Sequence, residues 1–197
     1  MIKNIIFDVD GVLINLDSSY HKFLQTSYPE YKNMKIEEMA ELFPIDGEDG
    51  AFELPSRFSK DFIDSPYYVN RPFFKNTISV LKKLKSLELT LITLSAASSP
   101  EKKLSWLADT FGDLFNAYEL SPAGVAKDEG LKTVINKYGL NKAETLFIDD
   151  RFFNIRAGLR AGVEVARMQP DLFLPLPKDL SHVRVLYDIE EIFDLIS

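Results

Sequence analysis

A chain of 197 residues with 46% hydrophobic and 27% charged side chains can bury one sizeable core and a small accessory domain, which excludes extended disorder and fibrous repeats. Its formal charge of -7 argues against a nucleic-acid surface, where a basic stripe is needed. With no cysteine, disulfides, thiolate zinc sites and cysteine nucleophiles are excluded outright.

A chain without cysteine also fits a reducing compartment. No signal-type segment precedes the first strand, and no window approaches the ~18 consecutive apolar residues of a membrane span. The expectation is a soluble, cytoplasmic protein with no nucleic-acid or membrane partner. Its oligomeric state is left open.

The first element starts at Asn4 as a short apolar run that reads as a buried strand of a parallel sheet ending at Phe7 or Asp8. Asp8, Asp10 and Gly11 come next, at its carboxyl end. In open α/β sheets that rim binds ligands, and glycine lets the chain turn away sharply. Crowded carboxylates beside apolar residues need a proton or a cation to offset them. A hard divalent ion such as Mg²⁺ prefers oxygen ligands. One carboxylate would then attack an electrophile while the other handles protons. The alternative is an acidic turn after a strand, since Asp and Gly are common turn residues.

Residues 15–71 differ from the rest of the chain: they are rich in Tyr, Phe and charge and poor in strand signals. Asp17 or Ser18 would cap a helix reaching Tyr28, with further helices over Lys35–Leu42 and Arg57–Ile63, each ended by nearby breakers such as Pro29 and Pro66. Pro44, Gly47 and Gly50 punctuate the remainder. This reads as a small helical insertion that adds nothing to the sheet. Tyr20, His21, Phe52, Arg57, Lys60, Tyr67, Tyr68 and Arg71 are its candidates for facing a cleft, though none is assigned to binding.

Regular α/β alternation starts at Pro72. A helix over Thr77–Leu87 presents Ile78, Leu81 and Leu84, and Leu89–Thr93 succeeds it as a strand ending in Leu94-Ser95. Ser98 or Ser99, Pro100 and Glu101 announce a helix whose inner face is Leu104, Leu107 and Phe111, with Trp106 in the core. Asn116–Leu120 is a strand and Asp128–Tyr138 a helix burying Leu131, Val134, Ile135 and Tyr138. Thr145–Ile148 is the next strand, ending in Asp149-Asp150. A helix runs to Ala161, a strand covers Val163–Met168, and a loop broken by Pro170, Pro175 and Pro177 leads to an edge strand at Val183–Leu186 and a last helix at Ile189–Ile196. Alternation of this kind predicts an α/β fold, a Rossmann-like parallel sheet with helices on both faces.

A parallel sheet gathers its strand ends on one rim. Asp8 and Asp10, Thr93 with Ser95, Lys127, and Asp149 with Asp150 would therefore converge. Two acidic pairs at two strand ends repel each other and call for a cation. Singly, Thr93 is an ordinary strand residue, Lys127 a surface lysine, and Asp150 or Asn154 a helix cap.

Asp8-Val9-Asp10-Gly11-Val12-Leu13, Thr93, Lys127 and Asp149-Asp150-Arg151-Phe152-Phe153-Asn154 resemble, in that order, the four motifs of the haloacid dehalogenase-like hydrolase superfamily. The second aspartate of the first motif resembles the phosphoryl-transfer members. The resemblance implies a catalytic core at 1–14 and 72–197 with a helical cap at 15–71 inserted after the first strand. It implies Asp8 as nucleophile and Asp10 as acid and base. Mg²⁺ would be held by Asp8, the Asp10 carbonyl and Asp150, with Asp149 acting through water or supporting the ligands from behind, and Thr93 and Lys127 would hold the phosphoryl group. The implied activity is hydrolysis of a small phosphorylated metabolite through an aspartyl-phosphate. Leu94 stands where the family often has asparagine, which leaves Ser95 as the alternative to Thr93. Asp128 succeeds Lys127 in place of the frequent proline, and Lys132 lies too far along its helix to substitute for Lys127. A phosphomutase would share every core residue, and a phospho-accepting regulatory domain is the non-enzymatic alternative.

Overall fold

The computed structural model describes all residues except 44, 46–48, 170, 171, 173 and 197, so Pro44, Gly47 and Pro170 lie outside the described residues. Six strands, β1 (Asn4–Phe7), β2 (Thr90–Ala97), β3 (Ala117–Pro122), β4 (Thr145–Asp149), β5 (Glu164–Met168) and β6 (Arg184–Leu186), form one sheet in the order β3-β2-β1-β4-β5-β6. Every pairing is parallel. Successive side chains along a strand face opposite ways, and the buried residues divide accordingly. Ile5, Phe7, Leu91, Leu146 and Ile148 pack on one side with α5 (Thr77–Ser86) and α6 (Pro100–Phe111). Ile6, Ile92, Leu94, Phe147 and Val165 pack on the other with α7 (Asp128–Lys137) and α8 (Phe152–Ala161). Both faces are covered, which is why these strands read as continuous apolar runs.

The chain winds outward from β1 through β2 and β3 on one side and through β4, β5 and β6 on the other. The strand order reverses at β1, and in such sheets the crevice beyond the carboxyl ends at that point is where ligands bind. Phe7 pairs with Thr93 and with Ile148, so Asp8 and Asp149 stand side by side one step nearer the rim.

Between β1 and α5 lie α1 (Leu16–Ser27), α2 (Ile36–Leu42), α3 (Ser56–Ile63) and α4 (Pro66–Val69), with no strand of the sheet among the described residues. Their contacts are largely aromatic. Phe23, Phe58 and Phe62 are buried among edge-on rings, including Phe23 on Phe62 at 5.4 Å and Tyr28 on Phe58 at 4.8 Å. Leu172, from beyond β5, packs into this cluster.

Several local expectations are corrected. The cap of α1 is Asn15, whose side chain accepts from the Ser18 amide; Asp17 accepts instead from the Leu172 amide, a contact far away in sequence. Pro66 opens α4 at its first position, where a missing N–H costs nothing, so it starts a helix here. On α6 the buried stripe is Lys103, Leu107 and Phe111, spaced by four, while Leu104 is exposed. Tyr138 also lies at the surface, its hydroxyl donating to Glu119. The expected last helix is a 3₁₀ turn at Ile189–Ile192 continued by α9 (Phe193–Ile196).

Candidate active site

The rim is built from four elements. Beyond β1 the Asp8 amide still bonds the Ile148 carbonyl at 2.8 Å, which fixes Asp8 against β4. The chain then turns tightly, with the Val9 carbonyl accepting from the amides of Leu13 and Ile14. Gly11 sits at φ +83°, and a Cβ there would lie 2.3 Å from Asp150 Oδ2. Only glycine permits both that backbone and that approach. The β1 turn is thereby seated directly on the carboxylate just past β4.

Asp8, Asp149 and Asp150 each offer a carboxylate oxygen within 4.8 Å of the others, and all three are buried. Lys127, just before α7 and 1% exposed, reaches Asp8 Oδ1 and Asp149 Oδ2 at 2.8 Å each. Asp149 is further held by the Arg151 amide at 3.0 Å and by Asn154 Nδ2 at 3.1 Å. Asn154 in turn accepts from the Lys127 amide, which ties α7 to α8. Asp150 Oδ1, by contrast, is buried with no hydrogen-bond partner among the described residues. Arg151, next in the chain, pairs with Asp49 at 2.7 Å.

Three carboxylates against one ammonium leave two negative charges. Burial pushes the Asp8 carboxyl up to about 6, with Lys127 opposing and Asp149 and Asp10 adding to the rise. Burial, then Asp149, drive Asp150 upward as well, against the pull of Arg151. Lys127 is raised too, which in a lysine favours the charged form: burial disfavours its charge, but Asp149 and Asp8 outweigh that. An all-oxygen donor set with an unpartnered buried carboxylate oxygen and two excess negative charges suits a hard divalent cation.

Asp10 faces another way. Its carboxylate contacts Lys103 of α6 and lies 3.6 Å from Arg71 Nη1. Burial alone would raise its pKa, but Arg71 and Lys103 together hold it down at about 2. Asp10 is therefore a committed carboxylate outside the group of three acids.

A cleft of about 340 Å³ opens over this rim, with Asp8, Asp10, Ser95, Lys127 and Asp150 on the sheet side and Tyr20, Phe52, Tyr68 and Arg71 from the segment before α5. His21, Arg57, Lys60 and Tyr67 do not line it; His21 bonds the Met34 carbonyl and Arg57 stacks on Phe58. Phe153 lines it and Phe152 packs in the core. Thr93 is fully buried level with Phe7, below the rim, and does not reach the cleft; Ser95, two residues on, does. The reason lies in strand length. β2 outruns β1 by pairing with β3 as far as Ala97, and so carries Ser95 up to the level of Asp8 and beyond.

Lys103 is a site residue that the sequence does not single out, because an apolar helix stripe favours Leu104 over a lysine. The spacing of 103, 107 and 111 by four is the signal that points to it. Arg71, a candidate for facing a cleft, does face one and gains a partner there in Asp10.

A family model for haloacid dehalogenase-like hydrolases matches residues 2–162. No curated protein matches the chain. Among solved structures, a Clostridium difficile protein described as a phosphatase is similar at TM-score 0.70 and 15% identity, covering 100% of this chain and 99% of that one. A Bacillus subtilis protein of the same hydrolase type, bound to magnesium, is similar at TM-score 0.68 and 12% identity over 100% of this chain and 99% of that one. A Thermotoga maritima protein described as a β-phosphoglucomutase gives TM-score 0.67 and 17% identity over 99% and 98%.

Proposed function

The chain belongs to the haloacid dehalogenase-like hydrolases, and from that premise we propose that it is a Mg²⁺-dependent phosphatase of small phosphomonoesters working through an aspartyl-phosphate at Asp8. One observation carries this reading. Asp8, Asp149 and Asp150 are buried around Lys127 with two negative charges to spare, at the strand-order reversal and under a cleft. Asp8, Asp150 and the Asp10 carbonyl would hold Mg²⁺, with Asp149, already engaged by Lys127, Arg151 and Asn154, bound through water. The ion, when bound, neutralises phosphoryl charge so that a carboxylate and a phosphate dianion can meet.

The remaining roles come from the side chains. Asp8 attacks phosphorus, forming an Asp8–O–P bond as the ester P–O bond breaks and the alcohol leaves. Lys127, anchored on Asp149, aims the attacking carboxylate and adds a fixed positive charge. The Ser95 hydroxyl, buried without a partner among the described residues, donates to a phosphoryl oxygen in place of Thr93. Asp10 serves the proton transfers. As a carboxylate it is ready to take the proton of the hydrolytic water. An anionic substrate that draws on Lys103 or Arg71 loosens their hold and raises its proton affinity for the preceding donation. The division into a core at 1–14 and 72–197 with a cap at 15–71 belongs to this proposal, as does a cytoplasmic location.

The test is a panel of phosphomonoesters assayed with Mg²⁺ and with chelator, following ³²P from labelled substrate. Release of inorganic phosphate that stops on chelation is expected. Transfer of the label to a second hydroxyl, with little released, would make the protein a mutase; no turnover of any ester would favour a regulatory phospho-acceptor. Either result overturns the phosphatase.

A further inference from the structure

Arg71 carries more hydrogen-bonding capacity than the protein uses. Its side chain is fully buried, yet among the described residues Nε, Nη1 and Nη2 have no hydrogen-bond partner. Its guanidinium lies 4.0 Å from the Tyr68 ring and 4.1 Å from the Trp106 ring, clamped between α4 and α6. Trp106 is itself fixed, its Nε1 donating to the Val69 carbonyl at 2.9 Å. With two rings packed over the guanidinium, its in-plane N–H edges are what remains for recognition, and Arg71 is one of the residues that line the cleft. A buried guanidinium without acceptors is costly. Among the described residues its nearest anion, Asp10 at 3.6 Å, is shared with Lys103, so two cations face one carboxylate and one positive charge is left over.

We propose that the clamped Arg71 guanidinium is the receptor for a second acidic group on the substrate, a carboxylate or a second phosphate, bound edge-on by its fork of N–H donors. The inference rests on the phosphatase reading and narrows it. A planar fork matches either oxyanion through two parallel hydrogen bonds. Because Arg71 stands beside Asp10, which serves the ester oxygen, the second acid lies within a few bonds of that oxygen. The substrate class is therefore a short phosphorylated hydroxy acid or a short bisphosphate.

The test compares kcat/KM with Mg²⁺ for 2-phosphoglycolate, 1,2-ethanediol bisphosphate and ethyl phosphate, which differ in the tail alone. Wild type should prefer one acidic substrate over ethyl phosphate by ~30-fold or more, the least expected of a buried charged contact, mainly through KM. Which acidic arm wins tells carboxylate from phosphate. Arg71→Met should collapse the preference, and Arg71→Lys, which keeps charge but loses the fork, should restore part of it. Equal efficiency on all three substrates in wild type overturns the proposal. So does an Arg71→Met variant that slows all three by one common factor, since that would make Arg71 only a support for Asp10. Calorimetric binding of phosphonoacetate against ethylphosphonate scores recognition without turnover. Inactivity toward every ester thus sinks the phosphatase alone, whereas equal affinity for the two phosphonates sinks the Arg71 receptor. Should Arg71→Met fail to fold, the wild-type preference and Arg71→Lys decide.

Discussion

Replacing Lys127 with methionine keeps most of the side-chain volume and deletes the ammonium that sits 2.8 Å from both Asp8 and Asp149. Removing one partner of a buried ion pair costs roughly 3–5 kcal/mol, because the other charge stays buried and uncompensated. In a domain of this size 1 kcal/mol moves Tm by about 2–4 °C, so the variant should melt roughly 6–20 °C below wild type in EDTA at pH 7.5. Millimolar MgCl₂ should recover part of the loss, since the cation meets the same carboxylates. Adding Asp149→Asn to Lys127→Met should also recover part, with a coupling of about 0.5–3 kcal/mol. The assay is thermal unfolding of the four proteins of that cycle, with and without Mg²⁺. A loss for Lys127→Met of under about 1 kcal/mol, or no coupling to Asp149, would refute the idea that this lysine holds a mutually repelling acidic cluster together.

Stability should also depend on pH in a way set by Asp8. Its pKa rises from 3.8 unfolded to about 6 folded, so the unfolded chain releases that proton first and metal-free stability falls as pH rises from about 4 to 6. The Asp8 share of the loss is about 3 kcal/mol, the raised Asp150 adds in the same direction, and saturating Mg²⁺ should abolish it; a flat metal-free profile across that range contradicts the shift. Gly11→Ala forces a left-handed backbone costing about 1–2 kcal/mol and drives a Cβ against Asp150, so Mg²⁺ affinity by calorimetry should fall steeply, and a wild-type affinity would contradict it. Arg167 is fully buried and donates to the carbonyls of Asp150, Leu174 and Gly50 at 2.8–2.9 Å. Arg167→Met strands those acceptors and should cost about 3 kcal/mol or more in urea unfolding, while a loss below about 1 would mean the three bonds contribute little.

The sheet and most of the rim could be read from sequence because their signals are local. Asn4–Phe7 and Thr145–Ile148 are apolar runs closed by acids, and parallel pairing then puts Asp8 beside Asp149 without further assumptions. What stayed hidden depends on neighbours distant in the chain. Whether Thr93 or Ser95 meets the cleft turns on how far β2 tracks β3 past the end of β1. Lys103 looks like a surface residue until its ammonium is seen against Asp10 from the buried stripe of α6. Asp17 yields the α1 cap to Asn15 since its carboxylate is drawn to Leu172. Arg71 acquires meaning only through the rings of Tyr68 and Trp106 packed 4.0 and 4.1 Å from its guanidinium.

The covalent step itself is open to direct chemical capture. Asp10→Asn should slow turnover by about 10²–10⁴ and let the acyl phosphate accumulate with Mg²⁺ and substrate. Quenching and reducing with borohydride converts a phosphorylated aspartate to homoserine, which peptide mass spectrometry locates. Homoserine at position 8 is expected; homoserine at position 10, 149 or 150 instead, or an unmodified Asp8 in a variant that is still turning over, would contradict nucleophilic attack by Asp8.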